Sequence, residues 1–299
     1  MRWCRRPSVR ADRLQELVDV RVRRPEAVAE AAQRRRRPGS LLAGHGRLMM
    51  IAADHPARGA LRAGERPLAM ADRADLLDRL CLALSRPGVN GVLGTPDVLE
   101  DLLLLGALED KVVVGSMNRG GLAGTAFEID DRFTAYDASS LAAAGFEGGK
   151  MLVRIDPEDP ATAATLESCG RAVSDLADHR LMAMVEPFIS HRVDGRVRNE
   201  LSAEAMVRAS TVAAGLGTTS ARTWLKVPIV DEMERAMSAT TLPALILGGE
   251  VARDQDATFA SWSKALALPT VQGLVIGRSL LYPPGDDVAA AVDAAVGLL

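Results

Sequence analysis

Lysine is scarce in this chain of 299 residues: four of its 36 basic residues are lysines, and the other 32 are arginines. Aromatic residues make up only 3% of the chain, so the core has to be built from aliphatic side chains and methionine. The three cysteines, Cys4, Cys81 and Cys169, form no spaced pair. Unpaired cysteines are typical of a reducing compartment, which predicts a cytoplasmic location.

Several further absences narrow the functional class. No run of about 18 or more apolar residues is present, which argues against a transmembrane helix. The start of the chain lacks the apolar segment of a secretory signal. The net charge of −3 gives no nucleic-acid signature, so neither nucleic acid nor a membrane is an expected partner. No metal and no other cofactor is predicted, since the histidines lie on scattered segments without zinc-site spacing: His45, His55, His179 and His191.

Basic charge is concentrated near the start of the chain. Residues 1–40 carry 12 arginines against five acidic residues, a net charge of +7. We predict that residues 1–40 are a basic helical extension, with a helix over about 10–35, and that residues 41–299 are the catalytic domain. The run 34–37 is interpreted as a solvated helix end, and a nucleic-acid or membrane patch is the alternative.

Eight short apolar runs alternate with longer helical patterns after residue 41. Near-continuous apolar runs are typical of parallel strands that are buried on both faces. Eight such units after a leader helix predict an α/β protein with a (β/α)8 TIM barrel. A doubly wound open sheet is disfavoured, because no Gly-x-Gly-x-x-Gly turn follows the first run. The predicted strands are 48–53, 91–94, 111–115, 150–155, 181–186, 224–227, 244–248 and 273–277. The predicted helices are 71–85, 96–106, 137–145, 160–178, 202–216, 232–239, 254–267 and 286–298.

Two connections are longer than a barrel requires, namely 116–136 and 187–200. Each follows a strand, so each lies on the C-terminal face, where barrel active sites are found. Long connections on that face are usually functional lids, and a plain surface loop is the alternative. The first connection contains Asn118 and Arg119, which we predict to bind substrate.

Lys226 is the residue with the clearest chemical meaning, because it stands inside the apolar run 223–229. Arginine stays protonated, whereas a desolvated lysine near a second cation can lose its proton and become a nucleophile. The free amine of Lys226 could attack a ketone and lose water to form an iminium. That iminium would ease cleavage of the adjacent carbon–carbon bond. Side chains alternate along a strand, so Trp224 and Lys226 face inward while Leu225 and Val227 face the helices.

Three further charged residues mark strand ends: Asp54, Lys150 and Glu186. We expect Asp54, Glu186 and Lys226 to converge on one cavity mouth and Lys150 to reach it from below. Glu186, at an apolar strand end, is expected to have a raised pKa and to act as acid and base. Asp54 would hold a substrate hydroxyl or share the proton transfer. Structural salt bridges are the alternative, and Arg154 could form a surface ion pair or reach the site.

Glycines stand at the ends of the last two predicted strands, at Gly248 and Gly249 and at Gly277, where Arg278 is the next residue. Glycine lets backbone N–H groups approach an anion closely, and arginine adds a charged fork. Phosphate sites after the seventh and eighth strands recur in barrels. The pattern therefore predicts a phosphate site, and simple turn glycines are the alternative.

Together these residues resemble the class I aldolases of the tagatose-bisphosphate and deoxyribose-phosphate aldolase superfamily, over about residues 45–285. The matching segments are the Asp54 strand end, Lys150-Met-Leu-Val, Glu186-Pro187, Lys226-Val-Pro and Gly277-Arg278. The resemblance implies that Asp54 is the active-site aspartate and Lys150 the second lysine. It also implies that Glu186 is the acid/base residue and Lys226 the Schiff-base lysine. Barrels of this kind often assemble, so a homo-oligomer is expected.

A second resemblance lies in residues 115–121 and 127–133. Both segments are similar to those of aldolase-like barrel proteins encoded with actinobacterial inositol catabolism genes. This likeness implies a phosphorylated deoxy-keto acid from inositol breakdown as a substrate. The connection after the third strand differs from that of the sugar-bisphosphate aldolases.

Three functional hypotheses follow. The first is a metal-independent Schiff-base lyase that acts on a phosphorylated keto-sugar or keto-acid. The second is a transaldolase- or thiolase-like transferase that uses Lys226 on the same barrel. The third is a non-catalytic sugar-phosphate sensor that has kept the cavity. A metal-dependent aldolase is disfavoured by the scattered histidines.

Overall fold

Nine strands are present in the computed structural model, which describes residues 11–42 and 46–299. Cys4 and His45, named above, lie outside these residues. The strands are β1 (Leu48–Ala53), β2 (Gly91–Gly94), β3 (Val112–Ser116), β4 (Gly148–Ile155), β5 (Met182–Val193), β6 (Arg196–Asn199), β7 (Thr223–Val227), β8 (Ala244–Leu247) and β9 (Val271–Ile276).

Eight of these strands are parallel and close into a ring. Its order is β1, β2, β3, β4, β5, β7, β8, β9 and back to β1. Helices surround the ring, so the predicted (β/α)8 barrel is confirmed. The described helices are α1 (Ala11–Arg23), α2 (Ala27–Arg34), α3 (Arg73–Ser85), α4 (Pro96–Leu104), α5 (Ala138–Ala143), α6 (Ala161–Asp178), α7 (Ala203–Ala214), α8 (Met233–Met237), α9 (Gln255–Leu266), α10 (Arg278–Leu281) and α11 (Val288–Val296). In the described ranges, no helix has the length and apolar character needed to span a membrane.

The core has two layers because side chains alternate along each barrel strand. Inward-facing residues, among them Met50, Met184 and Leu245, fill the barrel together with Trp224. Outward-facing residues, such as Leu225, pack between the strands and the helices. The inward-facing positions of β1 lead to Asp54, and Lys226 occupies an inward-facing position of β7. The predicted alternation at these strands is therefore confirmed.

The N-terminal helix differs from the prediction. Instead of one helix over 10–35, the chain forms α1, which ends at Arg23, and α2, which begins at Ala27. Pro25 lies between them, and proline lacks the N–H that a continuous helix needs. α2 packs against α4 on the outside of the barrel.

The run of arginines after α2 is only partly solvated. Arg34 and Arg36 are exposed, as predicted, whereas Arg35 is buried. Arg35 Nη2 donates to Glu147 Oε1 at 3.0 Å, immediately before β4. The interpretation of a solvated helix end is therefore wrong for Arg35, which binds the N-terminal segment to the barrel wall.

The connection 187–200 is a β-hairpin rather than a loop. β5 continues beyond the barrel rim, turns at Asp194 and Gly195, and returns as β6 in antiparallel pairing. Both turn residues have positive φ, 50° and 73°, as a tight hairpin turn of an Asp-Gly pair requires. The hairpin stands beside the C-terminal mouth of the barrel.

Candidate active site

A cavity of about 360 Å³ opens at the C-terminal end of the barrel. All four predicted catalytic residues line it: Asp54, Lys150, Glu186 and Lys226. Asp54 follows β1 directly, whereas Lys150, Glu186 and Lys226 lie within β4, β5 and β7. The side chains of all four are at most 11% exposed. The structure therefore brings together four charged groups that are far apart in the sequence.

The four side chains form a continuous chain of ion pairs. Lys226 Nζ donates to Glu186 Oε1 at 3.0 Å, and the other carboxylate oxygen of Glu186 is in contact with Lys150 Nζ. Lys150 Nζ also donates to Asp54 Oδ2 at 3.1 Å. Arg119 Nη1 donates to the same oxygen at 2.6 Å. Positive and negative groups thus alternate from Lys226 to Arg119, which satisfies each buried charge.

The pKa values follow from this alternation. Burial raises the pKa of Glu186, but the ammonium groups of Lys150 and Lys226 outweigh it and lower that pKa to about 2. The expectation of a raised pKa for Glu186 is therefore wrong, and the carboxylate is ionised at neutral pH. Burial lowers the pKa of Lys150 to about 8, against the opposing effects of Asp54 and Glu186. Burial opposes ionisation of Asp54, yet Lys150 and Arg119 hold its pKa well below the ordinary value.

The predicted phosphate residues lie together on the β8–β9 side of the cavity. Gly248, Gly249, Gly277 and Arg278 all line it. A Cβ at Gly277 would lie 2.6 Å from the carbonyl oxygen of Ala52, so only glycine fits against β1. Arg278 Nη1 lies 2.8 Å from Glu250 Oε1, and the Glu250 side chain is 73% exposed. The glycine backbone and the Arg278 guanidinium therefore border the part of the cavity where the phosphate site is predicted.

The two predicted residues of the β3–α5 connection have different surroundings. Arg119 lines the cavity, whereas Asn118 is completely buried and does not. The Asn118 amide donates to the Leu152 carbonyl at 2.6 Å and accepts from the Leu152 N–H at 2.8 Å. Asn118 thus joins the end of β3 to the backbone of β4.

Among the charged or titratable residues of the cavity, His55 and Arg58 were not predicted, and Arg154, for which a surface ion pair was the alternative, does reach the cavity. Burial, with the nearby charges of Arg278 and Lys226, lowers the pKa of His55 to about 3 although Asp54 opposes this. The imidazole is therefore neutral. The inward alternation from Lys150 could have indicated Arg154. No sequence signal marks Arg58, which the short 3-10 helix Pro56–Arg58 places.

Metal-ligating side chains do not cluster in this site. Across residues 11–42 and 46–299, the structure brings together no group of three or more His, Cys, Asp or Glu that could hold a metal ion. The polar side chains that line the described cavity carry amines, carboxylates, guanidinium groups, the imidazole of His55 and the amide of Asn199.

The fold and the site define the class of protein: a (β/α)8 barrel whose C-terminal cavity holds two lysines paired with two carboxylates. The chain belongs to the Cgl0159-like family, whose model matches residues 46–296. It is similar to the crystal structure of Cgl0159 from Corynebacterium glutamicum (Brevibacterium flavum), with 52% sequence identity and a TM-score of 0.95 over 98% of each chain. No curated protein matches the chain.

More distant similarity extends to aldolases. A Schiff-base-forming fructose-1,6-bisphosphate aldolase is 19% identical, with a TM-score of 0.66 over 91% of this chain and 99% of that one. An archaeal fructose-1,6-bisphosphate aldolase, whose catalytic lysine is covalently bound to a carbinolamine intermediate, is also 19% identical with a TM-score of 0.66. It matches over 91% of this chain and 98% of its own. At this identity the similarity establishes the shared barrel fold.

Proposed function

We propose that the protein is a class I aldolase that cleaves or forms a carbon–carbon bond in a phosphorylated keto-sugar or keto-acid. The observation that carries this proposal is the buried Lys226, whose Nζ lies 3.0 Å from Glu186 Oε1 at the cavity mouth. A buried lysine beside an ionised carboxylate has an immediate proton acceptor, which a nucleophilic amine needs. The second lysine, Lys150, contacts the same carboxylate.

The reaction begins with the unprotonated amine of Lys226, which attacks the ketone carbon and forms a carbinolamine. Glu186, which has taken the proton of the Lys226 ammonium, returns it to the carbinolamine hydroxyl, and loss of water gives an iminium. Glu186, freed from its contact with the Lys226 ammonium, takes the proton of the substrate hydroxyl as the carbon–carbon bond breaks. The aldehyde product leaves, and the bonding electron pair remains as an enamine. Protonation of the enamine and addition of water then release the second product and restore the amine.

Lys150 and Asp54 assist the cleavage of the carbon–carbon bond. Lys150 keeps a positive charge beside Glu186 while Lys226 is uncharged, so the carboxylate stays ionised. With a pKa of about 8, Lys150 can also donate a proton near neutral pH. Asp54 is placed to hold a substrate hydroxyl. The phosphate binds at Gly248, Gly249, Gly277 and Arg278, and a phosphorylated deoxy-keto acid of inositol breakdown is one candidate.

Borohydride trapping tests this proposal. The protein is incubated with dihydroxyacetone phosphate, reduced and digested, and the modified lysine is identified by mass spectrometry. We expect the adduct on Lys226, and we expect Lys226→Met to abolish it. Lys264→Met, at an exposed lysine of α9, is the matched control and should leave trapping unchanged. An adduct that persists in Lys226→Met contradicts the proposal, and an adduct with no cleavage of any keto phosphate favours the transferase or the sensor.

A further inference from the structure

The wall of the cavity opposite the phosphate residues is lined by three arginines: Arg58, Arg119 and Arg154. Arg154 is on β4, which lies four strands from β9 in the ring of eight. Arg119 follows β3, which lies four strands from β8. Arg58 follows β1 but reaches over to this side, where it donates to the Asn118 carbonyl at 2.7 Å. If the phosphate of a substrate binds at the phosphate residues, the other end of that substrate contacts this wall.

Each of these arginines is fixed by groups outside the cavity lining or by Asp54. Arg58 Nη1 donates to the Gly121 carbonyl at 2.8 Å, and Nη2 lies 2.5 Å from Asp131 Oδ2. Arg154 Nη2 lies 2.9 Å from Glu128 Oε1. Such contacts hold the guanidinium groups in place before any ligand binds, which lowers the entropic cost of recognition.

All three arginines keep one unused donor. The Nε atoms of Arg58, Arg119 and Arg154 are buried, and none has a hydrogen-bond partner among the described residues. The side chains of Arg58 and Arg119 are each only 6% exposed. A buried N–H without a partner is costly, because the group loses its hydrogen bond to water. Arg278 Nε, among the predicted phosphate residues, is likewise buried and without a partner in the described part of the chain, so guanidinium groups with unpaired donors line both ends of the cavity.

The charge of the wall selects the kind of anion. Each arginine is in contact with one carboxylate (Asp131, Asp54 or Glu128), but Asp54 is shared with Lys150. With Lys150, Lys226 and Glu186 included, five cations face four carboxylates, which leaves a net charge of only +1. Arg278 keeps more of its positive charge uncompensated. Its carboxylate partner, Glu250, is 73% exposed, and solvent weakens the attraction between the two charges. The wall is therefore suited to a group of lower charge than a phosphate dianion.

We propose that this wall is a carboxylate subsite, so that the substrate is a keto acid with a phosphate at one end and a carboxylate at the other. The inference rests on the proposed function for the keto phosphate part of the substrate. Planar guanidinium N–H groups match carboxylate oxygens in geometry. Lys226, on β7 next to β8, would meet the ketone near the phosphate end.

The test uses three linear keto phosphates of equal length that end in a carboxylate, a hydroxymethyl group or a second phosphate. Each is titrated in borohydride trapping at Lys226, and its binding to Lys226→Met is measured by calorimetry. We expect the carboxylate probe to half-saturate at a concentration about tenfold or more below the hydroxymethyl probe. Arg154→Gln should remove this preference, and Arg154→Lys should retain part of it. Arg171→Gln, at a 68% exposed side chain of α6, should leave it unchanged.

The two readouts separate the two proposals. A carboxylate preference in calorimetry without trapping at Lys226 would contradict the aldolase mechanism and leave the subsite standing. Trapping at Lys226 with equal affinity for the carboxylate and hydroxymethyl probes would overturn the subsite. Tighter binding of the second phosphate than of the carboxylate would also overturn it. Retention of the preference in Arg154→Gln would remove Arg154 from the subsite.

Discussion

At the scale of single residues, the site depends on Glu186, which stands between two lysines. Its two oxygens contact Lys226 and Lys150 separately, so it compensates both buried ammonium groups. In the proposed mechanism Lys226 becomes an uncharged amine, so that one of these contacts is lost and an oxygen of Glu186 is available to the substrate. In that proposed mechanism the same carboxylate is structural before the reaction and an acid/base group during it.

Replacement of this carboxylate should therefore slow the reaction more than it slows adduct formation. We expect Glu186→Gln to lower kcat for cleavage by about a hundredfold or more, because proton transfer to and from the hydroxyl is lost. Single-turnover trapping should still place an adduct on Lys226. Glu204→Gln, at an exposed side chain, is the control. Equal losses of trapping and cleavage would show that Glu186 acts only on the nucleophile.

Glu186 should also make stability depend on acid pH. Its pKa is about 2 in the folded protein against an ordinary value of 4.5, so the unfolded chain binds the proton first as the pH falls. The stability contribution is present above pH 4.5 and is lost toward pH 2. Urea unfolding should show a loss of about 3 kcal/mol at most across this window. A slope in Glu186→Gln equal to that of the wild type would contradict this assignment.

At the scale of strands and helices, periodicity predicts the elements well and their contacts poorly. The apolar runs mark β1 and β2 to the residue, and alternation correctly turns Lys226 inward because one strand fixes its own faces. The pKa of Glu186 could not be predicted, since it depends on distances between strands. The Arg58 contacts depend on a tertiary fold of the β3–α5 connection. The hairpin could have been recognised from Asp194-Gly195 between alternating residues.

The hairpin of β5 and β6 should act on substrate binding through Arg192. Arg192 Nη2 donates to the Ala126 carbonyl at 2.7 Å and to Asp159 Oδ2 at 2.9 Å, which joins the hairpin to the β3–α5 connection. We expect Arg192→Gln to raise KM several-fold with little change in kcat. Hydrogen exchange should become faster in residues 187–200. Arg196→Gln, on the returning strand, is the control, and equal effects of both variants would rule out the Arg192 contact.

At the scale of the whole molecule, the candidate active site and the attachment of the N-terminal segment lie at opposite ends of the barrel. The ion-pair chain of the site lies at the C-terminal ends of the strands, whereas Glu147 precedes β4 at the opposite end. Arg35 reaches that end from α2 and also donates to the Lys111 carbonyl at 2.9 Å. The segment is thus bound to the barrel by a buried ion pair, far from the cavity.

Removal of the Arg35 charge should destabilise the protein without affecting the site. In Arg35→Met, Glu147 stays buried, and among the described residues it keeps Arg37 as its one ion-pair partner, 3.0 Å away and 56% exposed. Loss of one member of a buried pair costs about 3–5 kcal/mol. Arg34→Met, at the preceding residue and 70% exposed, should cost about 0.5 kcal/mol or less. Urea unfolding measures both, with trapping at Lys226 as the check on the site. Equal stability of the two variants would mean that residues 11–37 are an extension whose attachment adds nothing to the barrel.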